Sequence, residues 1–427
     1  MSESVPAIVH GHEKVRNYQN MNHIVKRIGI LTGVFAAALC VFFLANNRWN
    51  SGQDQAVYMD MEAASLPSIT VQMLGRDMNR LYGYRQEMNT TAAGENLTIL
   101  PEDRALTVDI TGGGVTGISY EVRSMDRARL VERTEVSDWQ QTQQGIAATL
   151  PIQNLLTKER EYQLIIQLDT ENYGSVYYYT RILWTDSAQH ARDMVDLAAD
   201  FSIKTFDYEQ AKSLTTYLET SPSEDNSTFG HTSIHSSFSQ LTWGKMNMQP
   251  EGNVEIRLKE LDGVMCGVQL SYQAKRQGDG AEETYEVEED FTLKWNELRI
   301  YMMQYDRTVN QIFAGDRSEY SGKRILLGIT QDDCVELVKS AGGKTLAYRV
   351  NRDLWSFEPE DRRAVRIFSF RDDDSTDVRS NYDHHDVRIL SVEDDGDVDF
   401  LVYGYMNRGN HEGENGIAGY HYTAAGN

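Results

Sequence analysis

Three cysteines in 427 residues exclude a disulfide scaffold. Cys40 sits in an apolar run, so only Cys266 and Cys334 are left to form one bridge or to stay as thiols. Proline is scarce too. Seven prolines beside 23 tyrosines fit a folded β-rich chain rather than a disordered one. Basic residues are outnumbered, 41 Lys and Arg against 64 Asp and Glu, for a net charge of −23. Residues 1–49 hold five Lys/Arg and two Asp/Glu, a net of +3, so the remainder carries −23 − 3 = −26. A surface of that sign repels nucleic acid and anionic membrane, which makes both poor partners for the body of the chain.

Long apolar runs are missing with one exception. Ile28 to Ala45, IGILTGVFAAALCVFFLA, contains eighteen residues and no charge. At about 1.5 Å per residue a helix of this length reaches about 27 Å, enough for the hydrocarbon core of a bilayer. Ile28, Gly29, Phe35, Cys40, Phe43 and Ala45 are the candidate membrane-embedded positions. Lys14, Arg16, Lys26 and Arg27 precede the run, which places the N-terminus in the cytoplasm and the body outside. Cleavage after Ala45 would want a small residue where Phe43 stands, and a lipid-modified Cys40 would want one in place of Leu39. An uncleaved signal anchor follows, in a single-pass cell-membrane protein with the bilayer as its first partner.

Nucleotide and hydrolase motifs fail on context. Gly112 to Gly117 matches G-x-G-x-x-G, yet a strand, ISYEVRS, follows where a dinucleotide site needs a helix, so the loop reads as a hairpin turn. Gly343-Lys344-Thr345 ends like a phosphate loop, but Val338 occupies the required first glycine. His231 and His235 lie among serines without any G-x-S-x-G elbow or Ser-x-x-Lys pair. No cofactor is expected. Asp383, His384, His385 and Asp386, inside an acidic stretch running from Asp372 to Asp399, are the metal candidates; the same cluster also reads as solvated turns. Asn89, Asn96 and Asn226 head N-x-S/T sequons.

The expected fold is mainly β with a small helical insert. After the basic tail (1–27), the transmembrane helix (28–45) and a juxtamembrane spacer (46–65), residues 66–185 show about seven short alternating strands. That pattern predicts a β-sandwich of immunoglobulin or fibronectin type. Its clearest hairpin joins YQLIIQL (162–168) to SVYYYTRILW (175–184), and Tyr162 stands where a tyrosine corner would bond back to upstream backbone. Residues 186–226 predict a helical hairpin, with Met194, Leu197, Ala198 and Phe201 on one face and Asp207 as the second N-cap. Residues 227–350 predict an antiparallel meander with short helices at 306–312 and 332–340. Residues 351–427 carry four strand groups that resemble one propeller blade. They lack a closing strand, so this unit either packs on the meander or belongs to a longer protein.

The segments RLYGYRQEM, SYEVRSMDRARLVE, YYYTRI, IHSSFSQLTWG and DFLVYGYMNRGNHEG resemble a group of single-pass membrane proteins of anaerobic Gram-positive bacteria whose motifs carry no assigned chemistry. In layout the chain is similar to accessory regulators of cell-wall sensor kinases: a short inner tail, one helix and a β-rich outer part. The anchor, the sandwich-like domain, the blade-like end and the lack of catalytic motifs point to a non-enzymatic binding or regulatory protein of the cell envelope, contacting another envelope protein or a wall polymer. Tyr177, Tyr178 and Tyr179 either offer it a contact face or lie in a strand buried on both sides. The alternative is an extracytoplasmic enzyme acting on wall glycans through paired carboxylates of the acidic C-terminal part.

Overall fold

The computed structural model describes residues 33, 34, 36, 37, 57, 58, 61–88, 95–143, 145–153, 156–277, 282–315, 320, 321, 324–331, 335–371, 382 and 384–424. The chain forms two compact units, Met1–Ala56 and Val57–Asn427. In the first, Gly33, Val34, Ala36 and Ala37 are helical and exposed, Val34 by 63 %. The named membrane positions Ile28, Gly29, Phe35, Cys40, Phe43 and Ala45 lie outside the described residues. Among the described residues no helix is long and apolar enough to cross a membrane.

The second unit is mainly β. After β1 (Val57–Tyr58) come β2 (Ser68–Met73), β3 (Arg76–Leu81), β4 (Leu97–Ile99), β5 (Ala105–Thr111), β6 (Val115–Arg123), β7 (Leu130–Glu135), β8 (Trp139–Gln141), β9 (Gly145–Pro151), β10 (Glu161–Thr170) and β11 (Gly174–Leu183). They make two five-stranded sheets, ordered β3-β2-β5-β9-β8 and β4-β11-β10-β6-β7. Alternation drives this. Leu106, Val108 and Ile110 of β5 and Ile118, Tyr120 and Val122 of β6 point into one apolar cluster shared by both sheets. The glycine loop 112–114 is therefore a crossing from sheet to sheet, not the hairpin turn expected of it. Gly112 and Gly114 both hold positive φ there, the conformation glycine tolerates.

Next follow α1 (Ala188–Lys204), the four-residue α2 (Tyr208–Ala211) that runs on as a 3₁₀ turn over Lys212–Tyr217, β12 (His231–Ser233), α3 (Phe238–Leu241), β13 (Gln249–Asp262), β14 (Met265–Gln277), β15 (Glu282–Lys294) and β16 (Tyr301–Gln311). Asp207 caps α2 as expected, accepting the Glu209 and Gln210 N–H groups. The five strands order as β12-β16-β15-β14-β13, an antiparallel sheet that buries Ala191, Met194, Val195, Ala198 and Phe201 of α1. The helix expected at 306–312 is strand instead. Tyr305, Arg307 and Val309 alternate inward beneath α1 and α3, and that period of two overrides the local helix signal.

The remaining strands are β17 (Tyr320–Ser321), β18 (Arg324–Ile325), β19 (Leu337–Lys339), β20 (Leu346–Val350), β21 (Asp353–Glu358), β22 (Arg363–Phe368), β23 (His385–Val392), β24 (Val398–Tyr405) and β25 (Asn415–Tyr422). β19 replaces the described part of the helix expected at 332–340. The four strand groups after residue 350 do not form one blade. β21 and β22 join a sheet ordered β1-β22-β21-β20-β19, whereas β23, β24 and β25 form a separate terminal sheet. The two share a second core built on Leu354, Ile367, Phe368, Val387, Phe400 and Val402. Facing each other, the two sheets bury these apolar side chains.

Candidate functional site

Segments far apart in the chain meet around four tyrosines. The stretch leaving β3 brings Tyr82 and Tyr84, the end of β24 brings Tyr405, and Tyr382 precedes β23. Tyr82 stacks on Tyr382 with ring centres 3.7 Å apart, and His384 stacks on the other face of Tyr382 at 4.0 Å. Tyr405 meets Tyr84 and Tyr382 edge-on at 5.1 and 5.2 Å, and Tyr84 meets Tyr179 at 5.6 Å. The Arg257 guanidinium from β13 lies 5.7 Å from the Tyr382 ring centre. Burial pushes the phenols of Tyr82 and Tyr405 well above their ordinary range, so neither ionises in use. The Tyr405 hydroxyl donates to the Gly83 carbonyl at 2.8 Å, and Tyr178 donates to Pro67 at 2.6 Å. This cluster is glue between the sandwich and the terminal sheet, not a pocket.

It fixes the loop between β24 and β25. Glu412, 5 % exposed, accepts the Ser65 and Leu66 N–H groups at 2.9 Å and the Ser65 hydroxyl at 2.6 Å. The Arg85 N–H donates to the Gly413 carbonyl at 2.9 Å, and Arg85 reaches Glu414 at 3.6 Å. Glu412→Ala leaves buried donors without an acceptor and should cost about 2–3 kcal/mol. Faster amide exchange at Ser65 and Leu66 would report it; unchanged exchange would show that the carboxylate does not hold the loop.

Beside this clamp runs a groove of about 290 Å³. It is lined by Gln86 and Met88, by the loop residues Met406, His411, Gly413 and Glu414, and by β25 from Asn415 to Gly419. Ile417 is 75 % exposed at its rim. The outer face of the terminal sheet continues the apolar surface through Tyr403, which pairs with Ile417, and Leu390.

The metal candidates do not converge. His384 turns to Glu95 (Nε2 to Oε2, 2.9 Å), His385 is buried against Phe370 at 4.6 Å, and Asp386 bonds Arg349 and accepts from Tyr403 at 2.8 Å. Asp383 lies outside the described residues. Successive strand residues face opposite ways, which separates His385 from Asp386. Among the described residues no group of three or more His, Cys, Asp or Glu could hold a metal ion. Of the acidic residues after β23, Asp394 accepts the Gly342 N–H, and Asp399 accepts from Ser391 and pairs with His421. The His421 imidazole holds the Asp399 carboxyl below its usual range.

Other sequence candidates fall into structural roles. His231 pairs with Asp306 at 3.2 Å and His235 with the Glu219 carbonyl at 3.0 Å, while Ser233 donates to Glu224. Tyr178 and Tyr179 are buried and Tyr177 half-buried, so the triple tyrosine offers no exposed contact face. Cys266 is a buried thiol pushed up to about 12 by burial, and Cys334 lies outside the described residues. The groove had no local signature in the sequence, since its walls come from residues more than 300 positions apart. The quoted segments RLYGYRQEM and DFLVYGYMNRGNHEG contain Gln86, Met88 and the loop residues up to Gly413, but not the β25 residues that line it. No family model matches this sequence, and comparison with curated proteins finds no match.

Proposed function

We propose that the chain is a membrane-anchored, extracytoplasmic binding or regulatory module of the cell envelope, contacting its partner through the terminal sheet. The carrying observation is the groove along β25, lined by the strand residues Asn415 to Gly419 with Ile417 exposed at its rim. The anchor argument adds to it: an uncharged eighteen-residue run with Lys and Arg on its N-terminal flank. Supporting an immunoglobulin-type sandwich is the strand order. Read as A to G, β2, β5, β9 and β8 stand as A-B-E-D, and β11, β10, β6 and β7 as G-F-C-C′. Tyr162, second residue of β10, accepts the Thr157 N–H at 3.1 Å, the place and direction of a tyrosine corner. Such sandwiches serve many partners, so the fold alone names none.

Leu298, 90 % exposed, offers the test. With Leu298→Cys in the full chain, a membrane-impermeant maleimide should label intact cells above the parent background. Labelling that appears only after permeabilisation would place the body inside and overturn the reading.

A further inference from the structure

β25 pairs with β24 on one side and with no strand on the other among the described residues. Its bonding phase is set by two contacts. The Met406 N–H donates to the Glu414 carbonyl at 2.9 Å, and the Tyr405 N–H turns the other way, to His384 at 2.8 Å. Bonded and non-bonded pairs alternate in an antiparallel ladder. Gly416, Ala418 and Tyr420 therefore bond inward to β24, while Asn415, Ile417, Gly419 and His421 point their N–H and C=O groups outward.

Exposed edges are ordinarily blunted by proline, lysine, a bulge or shortness. Other edges here follow that rule: β13 carries Pro250, Lys259 and two register shifts, and β12, β8 and β19 are three residues each. β25 is eight residues long, contains neither proline nor lysine, and keeps unbroken register with β24. Asn415, Ile417, Gly419 and His421, the residues whose backbone groups point outward, are all exposed.

Charge selects the occupant. Glu414, which Arg85 and His411 also reach, stands at one end of the strand, and Asp395, Asp397 and Asp399 gather around His421 at the other. A second copy would bring the same acidic ends on a body of net −26, which disfavours edge-to-edge self-pairing. We propose that the free edge of β25 accepts an extended polypeptide segment of a partner protein by strand addition, apolar at alternate central positions and bearing Lys or Arg at both ends. Main-chain bonds at residues 415, 417, 419 and 421 give affinity, and the apolar contact with Ile417 sets register. This rests on the envelope-binding reading.

The test uses the full chain in detergent micelles and three probe peptides: KKVTVTVKK, the acidic-flanked EEVTVTVEE, and the proline-interrupted KKVPVPVKK. KKVTVTVKK should bind about tenfold or more tighter than either of the others. Gly419→Pro removes one outward donor without touching the β24 ladder and should weaken KKVTVTVKK about tenfold, the effect of losing roughly 1.4 kcal/mol. Ile417→Lys, a surface change that leaves the backbone alone, should weaken it comparably if the proline variant does not fold. Equal binding of KKVPVPVKK would reveal charge attraction alone and overturn strand addition. A dimer that Gly419→Pro dissolves would make a second copy the occupant and overturn it too. The failures separate: a cytoplasmic body overturns the envelope reading, whereas no KKVTVTVKK binding by a chain whose body is outside overturns strand addition alone.

Discussion

Arg307→Ala should destabilise the protein by about 3–5 kcal/mol, the range for removing one partner of a buried charge network. Arg307 is fully buried on β16 beneath α3. It donates to the carbonyls of Leu241 at 3.0 Å and Gln240 at 2.9 Å and to the Thr232 hydroxyl at 3.3 Å, and lies 3.6 Å from the Trp243 ring centre. Directly across the ladder stands Glu289, also fully buried, which accepts from Tyr305 at 2.7 Å. Burial raises the Glu289 carboxyl, and Arg307 is the first group that pulls it back down. Alanine would orphan three acceptors and leave Glu289 without its cation. Denaturant midpoints of the two chains measure the effect. A shift under about 1 kcal/mol would mean that water replaces the guanidinium and that the network is not a keystone of the meander.

The second large effect is acid sensitivity from His385. Burial pushes this imidazole down to about 3, with the Arg352 and Arg371 charges adding to the shift and Asp386 opposing it. An unfolded chain returns it to about 6.5. Between those values the unfolded state binds a proton that the folded state refuses. Stability is therefore full above about pH 6.5 and falls as pH drops toward 3, by up to about 1.4 kcal/mol per pH unit. From pH 7 to pH 5 the loss should reach about 2 kcal/mol. His385→Leu keeps an apolar side chain against Phe370 and should remove that part of the slope. Urea midpoints at both pH values decide it: parallel losses in the two proteins would show that the slope arises elsewhere.

What was legible in the sequence was local. The 161–183 hairpin, the α1 stripe and the Asp207 cap depend on neighbours in the chain, and each stands where its pattern put it. The α1 stripe shifted slightly, with Val195 buried and Leu197 only partly so. Residues 306–312 misled because an aspartate followed by mixed polar residues resembles a helix start, while the sheet partner that makes them strand is β15. His384, His385 and Asp386 misled in the opposite way. Adjacency in sequence suggested one site, and the strand sent them to Glu95, Phe370 and Arg349. The tyrosine cluster and the Glu412 clamp join residues up to 347 positions apart, a separation no local pattern encodes.

The most direct measurement is a photoreactive amino acid placed at Ile417 of the full chain and activated in intact cells. Strand addition at β25 predicts one predominant polypeptide adduct that disappears when Gly419→Pro is added and does not form from the same probe at Leu298. The same adducts from both positions, or an Ile417 adduct indifferent to Gly419→Pro, would contradict it.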